Sequence, residues 1–338
     1  MRNVYKKFVG VVLGTLLIGV LVSACGSSDS GSDEAGGGKP GSGYTVGAVS
    51  FLNADLPSAA IANAYVDALK ERGFDVSEVD AQGSPGTAVQ AMQNFVQKGV
   101  DLIWVQLWEA KQVQAGLRAA QAAGIPVVAS APDLGGDDGY RSTINIGPAS
   151  GEALAQYIAD STKGAGDMLV IGYSPGWQAR TREEALNETL SGMPEINTDR
   201  VELNVTDING FTTNAVNAWL GEHPKGSSEN LMIWTPSSCC ASAAVTALRQ
   251  AGRDDVKLYS FLDATESLVR LVEQGWLTAV AADDVVNASQ QMADDTPGII
   301  EAGVDGAQNE IEPDVYVMDS KDISQTLNQN PDLLATGQ

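Results

Sequence analysis

The stretch from Asp75 to Ala131 constrains the fold more tightly than any other part of the chain. A short run bounded by Val76 and Val79 leads into the turn Gly83-Ser84-Pro85-Gly86. Apolar residues then recur at helical spacing, at Val89, Met92, Phe95 and Val96, and Gly99 stops the helix. The uninterrupted run Leu102-Ile103-Trp104-Val105 reads as a strand buried on both faces. Val113, Leu117 and Ala120 form the stripe of a second helix, Gly124 ends it, and Ile125-Pro126-Val127-Val128 gives the next strand. Strand, helix, strand, helix, strand with short connections requires right-handed parallel crossovers. Ligands of such sheets collect beyond the carboxyl ends of the strands.

The same alternation runs through the rest of the chain. Tyr44–Val49 is the first strand, followed by a helix with Ile61, Tyr65, Ala68 and Leu69 on one face; Ser142–Ile146 is a further strand. Helices are predicted at 149–161, 179–190, 213–220, 241–250, 265–274 and 285–302. Strands are predicted at 168–171, 201–205, 231–234, 256–261 and 277–281, with Val315-Tyr316-Val317 as a last one. From about Asp319 the periodicity is lost, which predicts a loosely docked tail. At 338 residues and 43% apolar, the chain is long enough for two α/β lobes with a cleft between them.

The first 25 residues read as a targeting signal. Arg2, Lys6 and Lys7 precede the apolar run Phe8 to Val22, and small residues lead to Cys25. Val22-Ser23-Ala24-Cys25 resembles a bacterial lipobox, which implies removal of residues 1–24 and lipidation of Cys25 on the extracytoplasmic face of the cell membrane. The structural alternative is an uncleaved anchor, for which the apolar run is short. Residues 25–43, rich in Gly and Ser, read as a flexible tether reaching about 20–25 Å.

Composition limits the chemistry. With 20 basic against 43 acidic residues and a formal charge of −23, nucleic acid is not an expected partner, because phosphate binding needs clustered cations. The sole histidine is His223, beside Pro224 in the polar loop His223-Pro224-Lys225-Gly226, where a surface residue is expected rather than a general base. No run has metal-ligand spacing, and neither metal nor cofactor is expected. A two-carboxylate glycoside hydrolase is the remote enzymatic alternative.

Several phrases resemble one family in order and spacing. They are VDAQGSPGTAVQAMQNFVQKGVDLIWV, RAAQAAGIPVV, RTREEALNETL, AVTALRQAG and LYSFLDATESLVRLVEQGWLTAVAADD. Together they are similar to the type I periplasmic binding proteins, in the ribose/galactose-like branch that serves ABC importers. The resemblance spans about residues 44–318. It implies two Rossmann-like parallel-sheet lobes joined by a three-segment hinge near Ile144–Asn145, Ala282–Asp284 and Glu310–Pro313. Lobe one is then 44–144 plus 284–310, lobe two 145–283 plus 311–318, and 319–338 the tail. The implied role is a monomeric, non-enzymatic receptor that passes a small carbohydrate-like solute to ABC permease subunits. A sensor for a membrane kinase or a receptor for an amine-bearing solute are the alternatives. Sugar-responsive repressors share the fold but begin with a helix-turn-helix, where this chain has its signal and tether.

By the resemblance, Arg182 falls on the family's sugar-contacting arginine and Asp263 on its hinge aspartate. Their structural alternatives are a surface arginine and a helix N-cap. Elsewhere the pattern departs. Ala54-Asp55-Leu56-Pro57 stands where the family often carries stacking rings, with Phe51 and Asn53 close by. Ala131-Pro132 replaces an Asp-Arg pair, with Asp133 next; Ala282 and Asp283 stand at a glutamine; Ser237-Ser238 stand at Asn-Asp. Trp108, Trp177, Phe211 and Trp234 are candidate replacement rings; Trp177, in the loop Ser174-Pro175-Gly176-Trp177 after a strand, is the leading one, with the core as its alternative, and Trp104 is expected in the core. Cys239-Cys240 is either a vicinal disulfide forming a rigid platform in the cleft or a pair of packed thiols.

Overall fold

The computed structural model describes residues 39–54, 56–131 and 139–334. The signal, Cys25, the tether before Lys39, Asp55 and Asp133 lie outside the described residues. The first sheet contains β1 (Thr45–Ser50), β2 (Asp75–Asp80), β3 (Leu102–Gln106), β4 (Val127–Ser130), β5 (Tyr140–Ile144) and, far along the chain, β11 (Asn309–Ile311). Its order is β11-β5-β4-β3-β1-β2, all parallel. The second contains β6 (Ala165–Gly172), β7 (Glu195–Glu202), β8 (Leu231–Trp234), β9 (Val256–Phe261), β10 (Ala279–Asp283) and β12 (Val315–Asp319). Its order is β12-β10-β9-β8-β6-β7, with only β12 antiparallel. Each sheet reverses its winding beside its first strand, which is where a crevice opens at the carboxyl ends.

The helices are α1 (Leu56–Glu71), α2 (Pro85–Lys98), α3 (Ala110–Ala122), α4 (Pro148–Thr162), α5 (Trp177–Leu190), α6 (Ile208–Glu222), α7 (Ser238–Ala251), α8 (Glu266–Glu273), α9 (Val285–Ala302) and α10 (Ile323–Gln329). The local signals of the opening stretch act as expected. Ser84 caps α2 through the Thr87 N–H, Pro85 opens it, and Gly99 closes it at φ 69°. That left-handed conformation carries no steric cost for glycine. All five residues of β3 are buried, as a strand covered by helices on both faces requires. Two apolar clusters sandwich the first sheet, one around Tyr65, Trp104 and Met292, the other around Met92, Phe95 and Val105. Two more do so for the second, around Trp219, Leu248 and Leu258 and around Leu154, Trp234 and Phe261.

The chain passes between the sheets three times. It leaves β5 for α4, which packs on β10 and β12; it leaves β10 for α9, which packs on α1; and it leaves β11 for β12.

Two expectations are corrected. The strand expected at 201–205 is β7 at Glu195–Glu202, in which only Ile196 is fully buried. It is the outer edge of its sheet, and an edge strand half open to water needs no apolar run to mark it. Residues 319–334 are not loosely docked. Ile323, Leu327 and Leu333 belong to the core cluster around Trp219 and Leu248. The helix is too short, at seven residues, to show a periodic stripe. Leu333→Ala is therefore expected to cost about 2–5 kcal/mol in urea unfolding; a change near zero would restore the loose tail.

Candidate functional site

The carboxyl ends of β9 and β10 meet the start of α5 at one guanidinium. Arg182 Nη2 donates to Asp263 Oδ1 at 3.0 Å and to Asp283 Oδ2 at 3.1 Å. Its Nη1 donates to the Pro236 carbonyl at 3.0 Å, and its guanidinium carbon lies 3.8 Å from the centre of the Phe261 ring. The side chains of Arg182, Asp263 and Asp283 are 2%, 5% and 2% exposed.

Neighbouring elements hold this group in place. The first backbone N–H of α7, at Ser238, donates to Asp263 Oδ2 at 2.9 Å, where the positive end of the helix dipole favours a carboxylate. Ser150 in α4 donates to Asp283 Oδ2 at 2.8 Å. Gly151 follows, and a Cβ there would lie 2.7 Å from Arg182 Cα. The close approach of α4 to α5 thus depends on a residue without a side chain. Asp263 and Ala264 adopt φ 46° and 57°, and Leu107 and Ala131, after β3 and β4, adopt 60° and 87°. Non-glycine residues in this region are strained by roughly 1–3 kcal/mol each and cluster at ligand sites.

Two atoms of the ion-paired group are buried without partners: Arg182 Nε and Asp283 Oδ1. Burial pushes the Asp283 carboxyl above its ordinary range, against the pull of Arg182 and Ser150. The group lines a cavity of 30 Å³ together with Ile61 of α1, Gln178, Asp332 and Leu333. That is room for about one water-sized group. Around it the lobes touch. Trp177, from the second lobe, packs on the first-lobe cluster around Trp104, and Arg180 pairs with Glu109 of α3's cap at 3.1 Å. Burial raises the Glu109 carboxyl, but hydrogen bonds from Lys111 and Arg180 outweigh it and hold the group below its usual range. Arg180 also stands 5.4 Å over the Trp177 ring.

Arg182, Asp263, Asp283 and Ser238 therefore come together, and Trp177 stands at the closure with its Nε1 buried and unpartnered. The other expectations fare differently. Asn53 is exposed in a turn. Phe51 and Trp108 pack on each other at 4.8 Å and are not among the residues lining the cavity, with Trp108 only 2% exposed. Phe211 packs on the second-lobe core, and Trp234 is buried edge-on to Phe261. The candidate rings Trp108 and Trp234 are thus core residues and Phe51 and Phe211 pack against the cores, Trp108 with its Nε1 buried and unpartnered. His223 stacks on Trp219 at 4.3 Å, outside the cavity. Among the described residues no group of side chains could hold a metal ion.

The disulfide platform is corrected as well. Cys239 and Cys240 sit in the first turn of α7 with Sγ atoms 3.8 Å apart, too far for a bond between them. Successive helical side chains diverge by about 100°, so Cys240 turns into the core while Cys239 remains half-buried. The hydrogen bond with Cys239, then burial, push the Cys240 thiol up. Residues that sequence reasoning missed are Ser150, Gln178, Asp332 and Leu333. Only Ser150, beside a predicted crossing point, carried a signal.

The fold and this cleft define a class: two α/β lobes, three connections and a polar group buried where the lobes meet. The sequence profile described as periplasmic binding protein domain matches residues 50–297, and the chain belongs to that family. No curated protein sequence matches the chain. Among solved structures it is similar to an ABC transporter solute binding protein from Agrobacterium vitis with bound allitol. There the TM-score is 0.75 and identity 19%, over 85% of this chain and 98% of that one. A Burkholderia graminis solute binding protein in complex with D-arabinose gives a TM-score of 0.73 at 18% identity, over 84% and 98% of the two chains. One from Bacillus halodurans with bound myo-inositol gives 0.71 at 15%, over 86% and 99%.

Arg182→Ala would leave two buried carboxylates without their cation. It is expected to destabilise the protein by about 3–5 kcal/mol in chemical denaturation. Asp283→Asn has the opposite sign. A raised folded-state pKa penalises folding once the unfolded chain ionises, and the penalty is absent at acid pH, where both states carry the proton. The variant should therefore melt higher than the parent at pH 7, with the difference shrinking toward pH 4. A difference independent of pH would contradict the assignment.

Proposed function

We propose that this chain is the lipid-anchored solute receptor of an ABC importer and takes a small sugar-like or polyol solute between its lobes. The observation that carries this reading is the ion-paired group Arg182–Asp263–Asp283, buried at the meeting of the lobes with a donor and an acceptor left over. A stable fold is better served by apolar packing than by a buried ion pair. Unpaired polar atoms there are explained by a partner that supplies the missing hydrogen bonds. Hydroxyl groups, each both donor and acceptor, meet the two needs at once. The allitol, D-arabinose and myo-inositol bound by structurally similar proteins support the same chemistry.

Entry requires the lobes to part, because 30 Å³ is far below the volume of a sugar. Trp177 and the Arg180–Glu109 pair are the contacts to be broken and remade on closure, with the three connections as hinge. Cys25 is the proposed lipid attachment, ABC permease subunits the proposed membrane partner, and the extracytoplasmic face the proposed location.

A thermal-shift screen of neutral sugars and polyols on the full-length chain in detergent tests the reading. A true ligand should add about 3–4 kcal/mol of stability at 100–1,000 times its Kd. Consumption of a hit during the assay would instead favour an enzyme. For the anchor, Cys25→Ser should move the protein from the membrane to the soluble fraction; unchanged membrane retention would contradict lipidation at that residue.

A further inference from the structure

The charged residues lining the cavity are unbalanced. Asp263, Asp283 and Asp332 face a single cation, Arg182. One nitrogen of that guanidinium, Nη2, serves both Asp263 and Asp283. Asp263 is otherwise satisfied, its second oxygen accepting from the Ser238 N–H. Asp283 is not: Oδ2 accepts from Ser150 and Arg182, while Oδ1 is buried and unpartnered. A neutral hydroxyl would satisfy Oδ1 as a hydrogen-bond acceptor but would leave the excess negative charge in a desolvated place. An ammonium does both, and a charge-assisted bond to a carboxylate is roughly twice as strong as a neutral one.

The second unpartnered atom narrows the chemistry. Arg182 Nε is a donor on the same ion-paired group and accepts nothing. It calls for an oxygen, not a second amine. The cavity has room for a group the size of an ammonium, and Asp283 and Arg182 are both among the residues that line it. A ligand with an ammonium and a hydroxyl on neighbouring carbons presents one to each atom.

We infer that the ligand is an amino sugar or amino-polyol, its ammonium held by Asp283 Oδ1 and an adjacent hydroxyl oxygen by Arg182 Nε. This rests on the solute-receptor reading and names the class of solute. Asp332, exposed at the mouth of the cavity, adds a carboxylate that attracts the cation without sealing it in. It comes from the last turn of the described chain, so the C-terminal segment contributes to specificity as well as to the core.

Calorimetry on the full-length chain in detergent, with matched ligands, tests the inference. The probes are glucose against glucosamine, galactose against galactosamine and myo-inositol against an amino-inositol, each amine also in its N-acetylated form. In at least one set the amine should bind about tenfold or more tighter than its hydroxyl parent, a difference of about 1.4 kcal/mol, and N-acetylation should abolish the gain. Asp283→Asn should remove the preference. Asp332→Asn, an exposed change that spares the buried group, should reduce it about two- to threefold and gives an independent check on the charge. Parents binding as tightly as their amines would overturn the inference and leave the receptor for neutral polyols standing. Absence of binding by any amine, parent or other polyol to the folded protein would overturn both.

Discussion

Arg182 is the residue on which the rest of the architecture depends. Its guanidinium is fully desolvated, carries two aspartates and a carbonyl, and rests on the face of Phe261. Removing such a cation from water costs several kcal/mol, and the attraction of its partners repays that only when their geometry is good. Five pieces of chain supply the geometry: α5 brings the arginine, the ends of β9 and β10 the aspartates, α7 its first N–H, and α4 the Ser150 hydroxyl. The glycine at 151 lets α4 lie against α5 closely enough for this to happen. The second lobe can thus be seen as a frame for one ion-paired group, and the first as the surface that covers it.

Four of the left-handed residues and three of the unpartnered buried atoms lie around the ion-paired group or at the facing strand ends. Asp263 and Ala264 hold left-handed backbones next to the ion pair, Leu107 and Ala131 do so at the facing ends of β3 and β4, and Arg182 Nε, Asp283 Oδ1 and Trp177 Nε1 are buried without partners. Further left-handed residues, Gln82 and Lys163, and further unpartnered buried atoms, such as Thr212 Oγ1 and Ser289 Oγ, lie elsewhere in the chain, so what sets this place apart is that such atoms belong to a buried ion-paired group. A ligand that supplies the missing hydrogen bonds only when the lobes are shut has the differential affinity that moves a hinge equilibrium.

Much of the fold was legible in the sequence because buried parallel strands and amphipathic helices leave periodic marks. The runs at Leu102–Val105, Leu231–Trp234 and Val256–Phe261 and the stops at Gly99 and Gly124 needed no tertiary information. Strand β7 was displaced by several residues because an exposed edge leaves no apolar trace, and residues 323–334 were missed because short helices show too little of a period. The site was less legible. Arg182, Asp263 and Asp283 all came from the resemblance, Asp283 as a departure from the family's pattern at a crossing point. Phe211 and Trp234 have the composition of stacking rings yet lie in the core, since one sequence cannot distinguish a ring facing a ligand from one facing a helix. Asp332 and Leu333 lie some 150 residues from Arg182 in the sequence, and only the folded chain brings them to it.

The most direct test is a diffraction structure of the protein with its tightest-binding solute. The solute is expected between the lobes, with a donor about 3 Å from Asp283 Oδ1 and an oxygen about 3 Å from Arg182 Nε, Trp177 remaining packed on the first lobe. A solute bound elsewhere, with Arg182, Asp263 and Asp283 still paired only among themselves and the same two atoms unpartnered, would contradict a ligand site at this group.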